Sequence, residues 1–171
     1  MIYWLRLLGL VFFVIVVIAI VGSLLPRSYD FEVTETIAAS PEQIYREMES
    51  LPKWQAWSQW SIENESVKSL EYSDDGMSQT WTDERGEGSL WITDRQENQS
   101  VSYSMTFANF PEMQSTIHLK SLGSESTEVR WRSQGQLPSG PFYGYFGPFF
   151  STGMKSHYLY GLSKIAKITG S

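Results

Sequence analysis

The stretch VSYSMTF, residues 101–107, alternates apolar with polar side chains. This period of two is typical of a β-strand with one buried face and one solvated face. Residues 126–135, STEVRWRSQG, repeat the pattern, because Val129 and Trp131 alternate with charged residues. The two stretches together predict an antiparallel sheet that is covered on one side only.

Short turns divide the surrounding sequence into further predicted strands. Polar residues and glycines cluster at residues 73–76, 84–86, 97–99 and 123–125, and such clusters mark turns between strands. The strands predicted between these turns are residues 66–72, 77–83, 88–95, 101–107, 113–122 and 127–133. Residues 29–37, YDFEVTETI, form one more predicted strand ahead of them.

Two helices are predicted on either side of this run of strands. Ser40 is a suitable N-cap and Pro41 suits the first helical position, so a helix is expected over residues 41–50. A longer helix is expected over residues 151–168, where apolar residues recur at helical spacing. That stripe consists of Met154, Tyr158, Leu162 and Ile165.

Two aromatic stretches each have two interpretations. Trp54, Trp57 and Trp60 recur every three residues, as on one side of a short helical turn, and we expect them to plug the core rather than to line a pocket. Residues 135–150, GQLPSGPFYGYFGPFF, are expected to form a loop. We expect its rings to face inward as a lid with glycine hinges, rather than outward into a membrane interface.

Residues 7–25, LLGLVFFVIVVIAIVGSLL, carry no charged side chain. Nineteen residues of helix span about 28 Å, which is close to the hydrocarbon thickness of a bilayer. A cleaved signal sequence has a shorter apolar region and a small-x-small site, so an uncleaved anchor is the better interpretation. We expect residues 1–28 to form a single-pass membrane anchor with a short linker, and residues 29–171 to form one extracytoplasmic domain.

Composition restricts the classes of function. The net charge of −6 disfavours nucleic acid, because binding phosphate needs clustered Lys and Arg. The chain has no Cys and only two His, which lie far apart in the sequence, so neither a metal site nor a cofactor is expected. Aromatic residues make up 15% of the chain, and large aromatic area commonly lines apolar pockets.

The order of these elements and their local wording resemble the START-like superfamily, which includes polyketide cyclase/dehydrase and lipid-transport proteins. The resemblance extends over residues 30–167, although Gln59 stands where many members have proline. The matching stretches are LPKWQAWSQW, GMSQTW, GEGSLWITDRQENQSVSYSMTF, STEVRWRSQG and SHYLYGLSKIAK. The resemblance implies an α+β helix-grip fold, in which a curved antiparallel sheet wraps a long C-terminal helix and leaves an apolar cavity. No catalytic set is common to that superfamily, so none is carried over.

Several residues are candidates for the wall of the implied cavity. They lie on the expected apolar face of the sheet and helix, where ordinary core is the alternative interpretation. These candidates are Trp81, Tyr103, Met105, Trp131 and Tyr158. They predict a non-catalytic, membrane-anchored domain that binds a small hydrophobic ligand or lipid.

Two other functions stay open at this point. One is a cyclase or dehydratase that uses Glu35, Glu47 or His157 for acid–base chemistry. The other is a protein-interaction module whose core is filled.

His118 is expected on the solvated face of the sheet.

Overall fold

The computed structural model describes residues 2–61 and 66–170. These residues form an α+β helix-grip fold, in which a seven-stranded antiparallel sheet packs on a long C-terminal helix. The strands are β1 (Ser28–Ile37), β2 (Val67–Tyr72), β3 (Ser78–Asp83), β4 (Gly86–Gln96), β5 (Ser100–Phe107), β6 (Met113–Gly123) and β7 (Ser126–Gln136). The helices are α1 (Ile2–Leu24), α2 (Pro41–Met48) and α3 (Tyr143–Thr169), and a 3₁₀ helix covers Leu51–Ala56.

The sheet has the strand order β1-β7-β6-β5-β4-β3-β2. Its strands alternate between a buried and a solvated face, as the period-two pattern predicted. On β7, for example, Val129, Trp131 and Ser133 are buried while Arg130 and Arg132 are exposed. Helix α3 covers the buried face, where the ring of Tyr158 lies 5.6 Å from that of Phe31 on β1.

The tryptophan turn closes one end of the core. Trp54 donates its indole N–H to the Met48 carbonyl over 3.0 Å, and Trp57 donates to the Glu47 carbonyl over 3.0 Å. Both rings are buried, so the expected core plug is confirmed for these two residues. Trp60 is only half-buried at the edge of the core.

The predicted start of the C-terminal helix is wrong. Helix α3 begins at Tyr143, eight residues before the predicted residue 151, and contains Pro148. Proline within the second turn removes one backbone hydrogen bond from the helix, and for this reason the sequence predicts a later start. Gly144 explains why the chain is helical there, because its missing side chain allows this turn to pack directly against α1.

The expected inward lid is also wrong. Tyr143 and Phe150 pack against the core, but the other rings of this segment are exposed. These are Phe142, Tyr145, Phe146 and Phe149. Three of these rings lie in the first turns of α3, and Phe142 directly precedes the helix.

Helix α1 is long and apolar enough to cross a membrane, and it is the only such helix within residues 2–61 and 66–170. Its side chains are almost entirely uncovered by the rest of the chain. The link to β1 is only three residues long, 25–27. The Leu137 amide donates to the Arg27 carbonyl over 2.8 Å, which ties this link to the end of β7.

Candidate functional site

Three predicted cavity residues meet in the middle of the core, between the sheet and α3. The rings of Trp131 and Tyr158 stack with their centroids 3.9 Å apart and their planes 7° apart. The Trp131 indole N–H donates to the Tyr103 hydroxyl over 3.0 Å. The Tyr103 hydroxyl in turn lies 3.3 Å from the Tyr158 hydroxyl. All three side chains are almost fully buried, so they fill the space that they were expected to line.

The hydroxyl groups of this cluster are paired with serines. The Tyr158 hydroxyl lies 2.7 Å from Oγ of Ser133, and Oγ of Ser115 lies 2.5 Å from Oγ of Ser133. Burial raises the pKa of Tyr158, and burial together with the neighbouring Tyr158 raises the pKa of Tyr103 well above its ordinary value. Both phenols therefore stay neutral at pH 7, which suits a packed hydrogen-bonded core.

The other two predicted residues, Trp81 and Met105, line a pocket beside this cluster. It has a volume of about 240 Å³ and lies between the β3–β4 hairpin, the end of β5 and α3. Apolar side chains form much of its wall, while charged side chains lie at its rim. The pocket is lined by Gln59, Trp60, Ser66, Val67, Trp81, Asp83, Arg85, Gly86, Glu87, Met105, Phe107, Ala108, Met154 and His157.

Three of the apolar lining residues have other positions in the sequence-based prediction. Trp60 was expected in the core plug, Met154 was assigned to the buried stripe of α3, and Phe107 was read as the end of an alternating strand. Each assignment was close, because all three border the core. The sequence pattern contains no signal for which inward side chains leave a gap between them.

One of the three candidate acid–base residues lies at this pocket. His157 lies at the rim with its ring partly shielded from water, and this desolvation, followed by the charge of Arg85, lowers its pKa below the ordinary 6.5. Glu35 is exposed on β1 and Glu47 is half-buried on α2, and neither of them lines the pocket. At neutral pH the imidazole of His157 is uncharged and can accept a proton.

The outer face of the sheet carries a larger groove of about 550 Å³. It runs over β4 to β7, and polar side chains such as Gln114, Thr116 and His118 line much of it. His118 is exposed there, as expected. Among residues 2–61 and 66–170, no three His, Asp or Glu side chains converge as the ligands of a metal ion would.

The architecture is similar to that of several solved structures. A START superfamily protein from Mycobacterium smegmatis is 14% identical, with a TM-score of 0.60 over 82% of this chain and 97% of that chain. The Zhui aromatase/cyclase from Streptomyces sp. R1128 is 10% identical, with a TM-score of 0.63 over 84% and 94% of the two chains. Truncated norcoclaurine synthase from Thalictrum flavum is 15% identical, with a TM-score of 0.64 over 85% and 95%.

This chain has the helix-grip fold of these structures. No protein-family model and no curated protein matches its sequence. At 10 to 15% identity, the likeness to these three structures establishes the helix-grip fold and leaves the chemistry of the pocket to be argued from this chain's own residues.

Proposed function

We propose that this protein is a membrane-anchored domain that binds a small hydrophobic ligand without catalysing a reaction. The observation that carries the proposal is the pocket beside the packed aromatic cluster, whose wall includes Trp81, Met105 and Met154. A concave site that combines apolar side chains with polar groups is a usual form of small-molecule site. Residues 1–28 would hold the domain, residues 29–171, on the outer side of the membrane.

The size of the pocket restricts the ligand. A volume of about 240 Å³ lies below the ~300 to 1,000 Å³ typical of sites for drug-sized molecules. A compact ring system or one segment of a lipid chain fits this space better than a whole lipid. Burying about 150 Å² of ligand apolar surface would contribute about 4 kcal/mol before the cost of association.

The five predicted residues have two different roles in this proposal. Trp81 would contact the ligand at the pocket wall, and the fully buried Met105 would lie directly behind that surface. Tyr103, Trp131 and Tyr158 support that wall from behind through their mutual stacking and hydrogen bonds. A ligand would reach these three residues only by separating the sheet from α3.

His157 supports a second candidate function, a cyclase or dehydratase acting on a hydrophobic substrate. Its imidazole lies at the pocket rim with a lowered pKa, and such a group can transfer protons at neutral pH. The Zhui structure is that of an aromatase/cyclase. Replacing His157→Gln would abolish turnover by such an enzyme while leaving binding of the ligand intact, whereas a binder would lose nothing.

Native mass spectrometry of the full chain, released from detergent after incubation with a total membrane lipid extract, tests the binding function. Met154→Trp places a bulky indole ring at the pocket wall in place of the methionine side chain, and Leu159→Trp adds the same ring at an exposed position of α3. We expect an apolar adduct on the wild-type chain and on Leu159→Trp, and none on Met154→Trp. An adduct that survives in Met154→Trp would place the ligand elsewhere, and no adduct on any form would favour the interaction module with a filled core.

A further inference from the structure

The first turns of α3 expose an unusual number of large aromatic rings. Phe142 is 50% exposed, Phe146 57% and Phe149 76%, and Tyr145 is 36% exposed. No Asp, Glu, Lys or Arg occurs between Arg132 and Lys155. Exposed aromatic surface of this kind, without charges among it, indicates a contact with an apolar partner.

This aromatic patch, residues 142–149, lies directly beside the end of α1. Gly22 of α1 and Gly144 of α3 allow the two backbones to meet, since a Cβ added to Gly144 would lie 2.7 Å from the Gly22 carbonyl oxygen. The Tyr145 hydroxyl donates to the Ile18 carbonyl over 2.9 Å. Small residues at a helix crossing are typical of close packing within membranes.

The contact with Ile18 fixes the level of the patch along α1. Ile18 precedes Leu24, the last residue of α1, by a stretch of helix that rises about 9 Å. A helix of 23 residues spans about 34 Å, slightly more than the hydrocarbon core of a bilayer. With α1 placed across the bilayer as proposed above, the Tyr145 hydroxyl would lie about 9 Å from the outer end of the helix, close to the boundary between headgroups and acyl chains.

We propose that the aromatic patch inserts into this boundary and gives the domain a second contact with the lipid bilayer, beside α1. The partner is the lipid itself, because the patch continues the uncovered apolar surface of α1. Phe and Tyr rings suit this depth, where one end is apolar and the other is wet. The inference rests on the anchoring role proposed for α1 and does not depend on the ligand pocket.

The absence of cysteine in the natural sequence makes site-specific labelling straightforward. Single substitutions Phe146→Cys and Phe149→Cys, each labelled with the fluorophore NBD, would be measured in full chains reconstituted into phosphatidylcholine nanodiscs. Some discs would contain a phospholipid with a nitroxide high on its acyl chain. Two control positions define the range: Phe12→Cys in the middle of α1, and Leu122→Cys, which is exposed at the opposite end of the sheet from α1.

We expect the labels at positions 146 and 149 to show blue-shifted emission and strong loss of intensity from the nitroxide lipid, while the label at position 122 shows neither. The label at position 12 should show blue-shifted emission, because it would lie in the apolar interior of the bilayer. If the label at position 12 lies in the membrane while the labels at 146 and 149 are not quenched, the result would overturn insertion of the aromatic patch but would still support α1 as the anchor. A label at position 12 whose emission is not blue-shifted would overturn the anchor and the patch together.

A further outcome separates lipid from protein as the partner. Blue-shifted emission at positions 146 and 149 without quenching by the nitroxide would indicate a contact between chains, and it would overturn insertion into lipid. Quenching at position 122 equal to that at 146 would show that the whole domain lies on the membrane, which would also overturn a localised contact. Failure of the mass-spectrometric test of the pocket would leave each of these expectations unchanged.

Discussion

The ring of Trp131 on β7 lies parallel to the ring of Tyr158 on α3, with centroids 3.9 Å apart. This stack joins β7, the strand beside the edge strand β1, to the middle of the long helix. The hydroxyl of Tyr158 extends beyond the stack to Oγ of Ser133, 2.7 Å away. One side chain therefore packs against the sheet and also satisfies a polar group buried within it.

Removing that hydroxyl tests how much the polar contact contributes. Tyr158→Phe keeps the ring stack but removes one of the two hydrogen-bond partners of Ser133, the other being Ser115, and we expect it to lower the free energy of unfolding by about 1 to 2 kcal/mol. Urea denaturation of the full chain in detergent measures this. Tyr160→Phe is the matched control, because Tyr160 lies on the same helix and is 50% exposed. Equal effects of the two substitutions would contradict a specific role for the buried hydroxyl.

The crossing of α1 and α3 depends on Gly22. A Cβ at this position would lie 1.8 Å from the Pro141 carbonyl oxygen, so Gly22→Ala should push the two helices apart. Hydrogen–deuterium exchange should then become faster in the amides of residues 142–147 and of Phe149. Gly9→Ala should leave exchange unchanged, because nothing lies within 4 Å of a Cβ there. Unchanged exchange in Gly22→Ala would mean that the helices do not pack in this way.

The imidazole of His157 should titrate below pH 6.5. Burial of the ring is the main cause of its lowered pKa, and the positive charge of Arg85 is the second. NMR of the imidazole ring should show the pKa move part of the way back towards 6.5 in Arg85→Gln, but not in Arg95→Gln. The carbonyl of Glu49 holds the guanidinium of Arg95 elsewhere. A pKa that does not respond to Arg85→Gln would place the two side chains apart in solution.

The direction of this pKa shift also sets a pH dependence. The unfolded chain takes up a proton at His157 at a higher pH than the folded chain does, because the folded pKa is the lower one. Stability must therefore rise with pH through the window between the lowered pKa and 6.5, and it is lost as the pH falls through that window. The melting temperature of His157→Gln should depend less on pH in this window than that of the wild-type chain.

The start of α2 is stabilised by a capping box. The Ser40 side chain accepts a hydrogen bond from the Gln43 amide, and the Gln43 side chain accepts one from the Ser40 amide. Ser40→Ala should lower the free energy of unfolding by about 1 kcal/mol. Ser50→Ala is the control, because Ser50 precedes the 3₁₀ helix without a capping hydrogen bond from its side chain. A smaller loss in Ser40→Ala than in Ser50→Ala would contradict the assignment.

Most of the sheet could be predicted because each strand is covered on one side only. Alternation along residues 101–107 and 127–133 predicted strands that the structure extends by only a few residues, to Ser100–Phe107 and Ser126–Gln136. Because one face is buried and the other is solvated, apolar and polar side chains alternate along each strand, and this alternation can be seen in the sequence. The capping residues Ser40 and Pro41 marked the start of α2 for an equally local reason.

The start of α3 could not be predicted from local pattern. Glycine and proline at residues 144–148 disfavour a helix by themselves, and the compensating contact with α1 comes from a segment more than a hundred residues earlier in the chain. The pocket posed the same difficulty. Trp81 and Trp131 both face inward on strands, and only the three-dimensional arrangement determines that Trp131 meets another ring while Trp81 borders a gap.

The link between α1 and β1 has a mechanical consequence. The link is only three residues long, and the hydrogen bond from Leu137 to Arg27 ties it to the end of β7. Gly22 and Gly144 also bring α1 and α3 into contact, so there is no free hinge between the first helix and the sheet. We therefore expect the domain and α1 to move together as one rigid body. In the membrane-anchored arrangement proposed above, a change in the tilt of α1, such as one imposed by a thinner bilayer, would swing the far end of the sheet through an arc. Bilayer thickness would thereby control how high the pocket stands above the membrane and which way it faces.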